Sequence, residues 1–212
     1  MGGRFAIVCA VIGVFWVTTA GTASKAVASD IIEEWANVKT PAAPELKPVT
    51  VDPKTTALLM GDLVTPLCGK RPRCVAAIPA MKKLLGEARA AKVTVIYSLP
   101  PNTATADIIP DVAAAADEPS VQSGVDKFFK TNLEQILKDK GIQTLIVVGT
   151  SAEGLVTYTG GEAALRGLNV VVPVDGMASI EAFAEQYVAW HMTHAPIVSP
   201  KVTLTRTGMI KF

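Results

Sequence analysis

From Thr55 to Thr205 the chain alternates short apolar runs with longer amphipathic stretches, and this alternation limits the fold more than any other feature. The runs are Thr56-Ala57-Leu58-Leu59-Met60, Val93-Thr94-Val95-Ile96-Tyr97, Thr144-Leu145-Ile146-Val147-Val148 and Val170-Val171-Val172-Pro173-Val174. None shows the apolar/polar alternation of a half-exposed strand, so each reads as a strand buried on both faces. Between them, residues 78–91, 129–140, 153–166 and 181–194 carry the spacing of helices. In the first of these, Ile78, Met81, Leu84, Leu85 and Ala88 share one side, opposite Lys82, Lys83 and Glu87. Thr131 or Asn132 can cap the second, and Gly141 and Gly167 stand where helices close. Val202 to Thr205 predicts an added edge strand. Residues 98–123 predict one long loop.

Strands and helices in this order imply repeated βαβ units. The expected class is α/β, with a three-layer, mainly parallel sheet flanked by helices and Rossmann-like. Ligands of such sheets sit outside the carboxyl ends of the strands. The residues to examine are therefore Asp62 to Thr65, Ser98 to Pro101, Gly149 to Gly154 and Asp175 to Ser179.

Three segments are expected. Residues 1–28 have a positive Arg4, an apolar run from Phe5 to Thr18 and A-x-A-like cleavage sites, the layout of a secretory signal peptide. The run is shorter than the ~20 residues of a spanning helix. An exported chain, periplasmic or secreted, with no membrane span after cleavage, follows. Residues 29–53, proline-rich after a short helical stretch near Ile31 to Val38, read as an N-terminal arm. Residues 54–212 form the α/β domain, a length suited to one core. With 20 basic and 19 acidic side chains, the net charge of +1 offers no field for nucleic acid.

Several segments together resemble the isochorismatase-like cysteine hydrolases: Leu58-Leu59-Met60-Gly61-Asp62, Phe129-Lys130-Thr131-Asn132-Leu133, Gly141-Ile142 leading to Leu145–Gly149, and Ala163–Gly167 before Val170–Asp175. The resemblance covers residues 55–179. It implies an isochorismatase-like fold, a small-molecule ligand or substrate, no cofactor and a homo-oligomer. It also implies a site made of an Asp base, a Lys and a nucleophilic Cys, the Cys at a helix start that favours its thiolate.

Asp62 matches the family's Asp; the alternative is a structural carboxylate bonded to loop groups. The nucleophile's place, six residues after Gly149, holds Leu155. The family's Lys would fall near Gln122-Ser123, where none stands. Lys127 is close by, either turned into the site or solvated as lysines usually are. Val64, Gly149, Ser151, Ala152 and Leu155 are the expected pocket residues, and Ser151-Ala152 lies where the family often has a cis peptide. Cys68 and Cys74 flank a loop-like Gly69–Arg73 and suit a disulfide in an oxidising compartment, or else remain free thiols. The loop Leu99–Thr103 lacks the Asp and His of the family's metal-binding branch, so no metal is expected. His191 and His194 share a helix face without a third ligand in view. Two functions stay open. One is hydrolysis of a small amide or enol ether through a remodelled site; the other is binding or assembly without catalysis.

Overall fold

A computed structural model describes residues 1–3 and 29–212. The apolar run of the expected signal peptide and its cleavage sites lie outside the described residues. The chain divides into two units, Met1–Thr40 and Pro41–Phe212. In the first, α1 (Ile31–Glu34) is one turn, capped by Asp30, whose carboxylate accepts from the amides of Ile32 and Glu33.

The second unit opens with β1 (Val49–Thr50), which ties part of the expected arm to this unit by pairing with its last residues. Then follow β2 (Thr56–Gly61), α2 (Pro72–Ala90), β3 (Thr94–Leu99), β4 (Ser120–Gln122) and α3 (Leu133–Asp139). After β5 (Thr144–Thr150), a wide π turn at Ala152–Val156 runs into α4 (Thr157–Leu165). The chain ends through β6 (Asn169–Pro173), β7 (Met177–Ala178), α5 (Ala182–His194), β8 (Val202–Thr205) and β9 (Ile210–Lys211).

The main sheet has the order β4-β3-β2-β5-β6-β8, with β7 beside the end of β5, and every pairing is parallel. All of β2 is buried, and its side chains divide by parity. Leu58 and Met60 join α2 residues Ile78, Met81, Leu84 and Ala88 on one face. Ala57 and Leu59 face the other core, with Leu133 of α3, Ala163 of α4 and Val188 of α5. Burying such a Leu or Met stabilises by about 1.5–3 kcal/mol, so the two faces each hold a helical layer onto the sheet.

Three boundaries differ from the sequence reading. Helix α2 begins at Pro72, not Ile78, and runs through Pro79. Pro72, at the first helical position, is a start signal that the apolar spacing from Ile78 onward does not include. Helix α3 begins at Leu133 rather than Phe129, because residues 126–132 form a turn instead. The long loop also contains β4, which is too short to show a period.

The order of the strands positions the site. After β2 the chain builds outward through β3 and β4, then crosses back to lay β5 on the other side of β2. Connections leave β2 and β5 in opposite directions, which opens a crevice at their carboxyl ends.

Candidate active site

Asp62 follows β2 at this crevice, in the left-handed region with φ 55°. Its amide donates to Ser98 O (3.0 Å) at the end of β3, and Ser98 Oγ donates to Asp62 Oδ1 (2.9 Å). The ammonium of Lys127 lies 2.9 Å from Oδ2 and 2.9 Å from Oδ1. The Lys127 side chain is 0% exposed and that of Asp62 8%. Lys127 is thus turned inward and is not a solvated helix-start lysine.

The turn after β4 explains this inward course. Asp126 Oδ1 accepts from the Phe128 amide (2.9 Å), and Ser123 Oγ donates to Phe129 O (2.9 Å). Thr159 of α4 accepts from the Lys127 amide (3.1 Å) and donates to Val125 O (3.0 Å). Pinned on both sides, Lys127 also donates to Ser123 O (3.0 Å), with Leu99 O at 3.5 Å. Its three protons therefore all have acceptors inside the fold. Asp62, with two contacts from Lys127 and one from Ser98, uses three of a carboxylate's roughly four acceptor positions. One remains for a ligand or water.

Burial dominates the electrostatics. It pushes the Asp62 carboxyl above its ordinary range, while Lys127, Ser98 and the charge of Arg71 pull it back. Burial likewise lowers the Lys127 ammonium, against the pull of Asp62. Each group thus counteracts the shift that burial imposes on the other.

The opposite wall comes from β5. Gly149 has φ 129°, and a Cβ there would stand 2.0 Å from Gly61 O, so only glycine lets the two strand ends approach. Leu155, 1% exposed, packs its two terminal methyls onto Gly61, within 2.7 Å of where a Cβ would stand. An apolar side chain therefore rests on the residue preceding Asp62, at the position where the resemblance expects a thiol. Ser151 Oγ faces Gly154, whose Cβ would lie 2.7 Å from it, next to Val125. The cis peptide falls at Thr150-Ser151, one residue before the expected Ser151-Ala152 step. Ala152 is fully buried in the core facing α3–α5, its carbonyl accepting from Thr157 Oγ1 (3.0 Å).

Asp62, Lys127, Gly149 and Leu155 are thus brought together, with Ser151 on the same wall. Val64 is not: it turns into the α2-side core, where its carbonyl accepts from the Cys68 amide (2.8 Å). Cys68 and Cys74 form a buried disulfide with Cα atoms 5.4 Å apart. The second cysteine lies in the first turn of α2 and the first opens a 3-10 turn, Cys68–Lys70, so the expected loop between them is helical except at Arg71.

Arg71, half-buried between the cysteines and not among the expected site residues, donates from Nη1 to Thr150 Oγ1 (2.9 Å). An arginine in a loop at a strand end was the available signal. Among the described residues no cluster of three His, Cys, Asp or Glu side chains suits a metal. His191 and His194 instead stack on Tyr187 and Trp190, with ring centroids 5.4 and 4.9 Å apart. No helix among the described residues is long and apolar enough to cross a membrane.

Residues 56–200 match the family model of the isochorismatase domain, from β2 to the end of both helical layers, short of the edge strand β8. The chain belongs to the isochorismatase family. Solved structures agree in fold. A cysteine hydrolase from Pseudomonas syringae pv. phaseolicola is 20% identical, with a TM-score of 0.67 over 79% of this chain and 95% of that one. An N-carbamoylsarcosine amidase from Thermoplasma acidophilum, also 20% identical, gives 0.63 over 72% and 96%. A nicotinamidase from Staphylococcus aureus, 17% identical, gives 0.63 over 72% and 99%. No curated protein sequence matches. Within this hydrolase family fold, the chain joins an Asp–Lys pair to a leucine.

Proposed function

We propose that this isochorismatase-family protein hydrolyses a small amide or enol ether by acid–base chemistry at Asp62, without a covalent enzyme intermediate. The observation that carries the reading is the Lys127 ammonium, fully buried and 2.9 Å from Asp62, beside a leucine that cannot attack a substrate. A buried ion pair is costly to keep, and a purely structural site is served as well by apolar residues.

For an amide, Asp62 takes a proton from water as the water oxygen adds to the carbonyl carbon, then returns it to the departing nitrogen. For an enol ether, the same group in its protonated form delivers the proton to carbon, a step its raised affinity for protons favours. Water then adds to the oxocarbenium carbon and gives a proton back to Asp62. The hemiketal C–O bond breaks as Asp62 protonates the departing alcohol oxygen and takes up the hydroxyl proton. Lys127, with its donors occupied, acts through Asp62 by fixing its orientation and charge. The first amides of the turn at Ala152–Val156, which lack partners within the helix, are the groups suited to a developing oxyanion.

The test is turnover of an amide and enol-ether panel by the wild type and Asp62→Asn. Loss of about 10²–10⁴-fold in rate is expected. An unchanged rate would sink the proposal. One observation favours a second reading, non-catalytic binding: Leu155 is packed tightly on Gly61. That reading expects ligand-dependent thermal stabilisation with no product formed.

Export to the periplasm or beyond, after removal of residues 1–28, belongs to the same proposal; the cystine suits an oxidising compartment. Fractionation and N-terminal sequencing of the mature chain check it. Self-association is proposed through the exposed Phe183, Tyr187 and Trp190 of α5, with light scattering as its measure.

A further inference from the structure

Asp62 and Lys127 cancel each other's charge, so the charge at the crevice is set by what stands next to them. Arg71 stands there. Its guanidinium is half-buried, reaches Thr150 Oγ1 at the end of β5 and has a field felt at Asp62. Among the described residues no carboxylate pairs with it, whereas Arg73, Arg89 and Arg166 are bound to Glu185, Glu118 and Glu162 respectively. A guanidinium has five donors, and a neutral hydroxyl takes one. The remaining N–H groups form the planar fork that suits a carboxylate bidentately.

The backbone that presents this side chain is restrained. Arg71 lies between the bonded Cys68 and Cys74, in a turn closed by Cys68 N to Val64 O (2.8 Å) and Arg71 N to Cys68 O (2.9 Å). Pro72 then starts α2, and its ring restricts the preceding Arg71 to the extended backbone seen there, φ -115° and ψ 105°. Arg71 is therefore held in place before any ligand arrives, which lowers the ordering cost of binding.

We infer that Arg71, held by the Cys68–Cys74 turn against Thr150, binds an anionic group of the ligand, so that the site takes small carboxylates in preference to neutral analogues. This rests on the proposed ligand site at the strand ends, but not on turnover. A carboxylate on Arg71 is placed near Asp62, whose carboxyl feels the charge of that guanidinium. Reduction of the disulfide releases the turn and weakens the preference.

The test uses the mature chain and an isosteric pair, malonamate and its neutral counterpart malonamide, with dissociation constants measured by calorimetry or NMR titration at fixed ionic strength. Malonamate is expected to bind about tenfold or more tightly, the scale of a charge-assisted pair. Arg71→Gln removes that difference. Reduction, or Cys68→Ser/Cys74→Ser with its fold checked by circular dichroism, shrinks the difference. The inference is overturned if the two probes bind equally, if neither binds at millimolar concentration, or if Arg71→Gln keeps the preference. A chain that prefers malonamate yet hydrolyses nothing in the wider panel keeps this inference and loses only the catalytic proposal.

Discussion

The two strand ends that face each other at the crevice are built on opposite principles. After β2, Asp62 and Lys127 are charged, buried and held by hydrogen bonds from Ser98 and to Ser123. After β5, Leu155 is apolar and seated on Gly61 by contact alone. A polar group taken from water needs a partner for each remaining donor and acceptor, whereas an apolar one needs only a matching shape. The first side is thus intolerant of losing any member. The second tolerates exchange in proportion to the volume removed.

Breaking the first side has the largest expected effect. Lys127→Met leaves Asp62 buried without a counter-charge, and unfolding in urea should show a loss of about 3–5 kcal/mol. Removing both charges, in Asp62→Leu/Lys127→Met, should restore much of that stability; a double variant no better than the single one contradicts the account. On the second side, Leu155→Ala empties the space over Gly61, at a cost of about 2–5 kcal/mol. A loss well below that range, measured the same way, would mean that the leucine is not a packing element.

A pH series sharpens the contrast with a smaller change. The folded Asp62 binds its proton more tightly than the ordinary value of 3.8. Folding is thus favoured by that proton at low pH, and the advantage fades as pH rises through the folded value. Stability relative to the double variant should therefore fall as pH climbs from below 3.8, whereas Leu155→Ala should track the wild type. Smallest of all is the exposed Glu134–Lys138 pair, 2.6 Å apart on α3. Lys138→Ala should move stability by no more than about 0.5 kcal/mol, since solvent screens both charges. A larger loss there would remove burial as the reason for the difference.

How much could be read in advance depended on the range of the interactions. The strands β2, β3, β5 and β6 were legible because runs such as Leu145–Val148 exceed any exposed pattern. Asp62 followed from its place after β2. Lys127 stood out as a candidate, but its orientation did not, because its inward turn is fixed by Thr159, 32 residues further along. Nor did Arg71, since its partner Thr150 lies 79 residues away. Local spacing carries no record of such meetings. The start of α2 was missed because the apolar spacing that marks the helix begins only at Ile78, well after Pro72.

The pairing of β1 with β9 sets Val49 beside Ile210 and Thr50 beside Lys211. The first and last strands of the α/β unit are thus neighbours in space. A short linker from Phe212 back to residue 48 would close the unit into a ring, and new ends cut within the exposed Ala115–Asp117 segment would leave every strand pairing in place. The order in which the strands are synthesised can then be changed while the crevice between Asp62 and Leu155 stays the same.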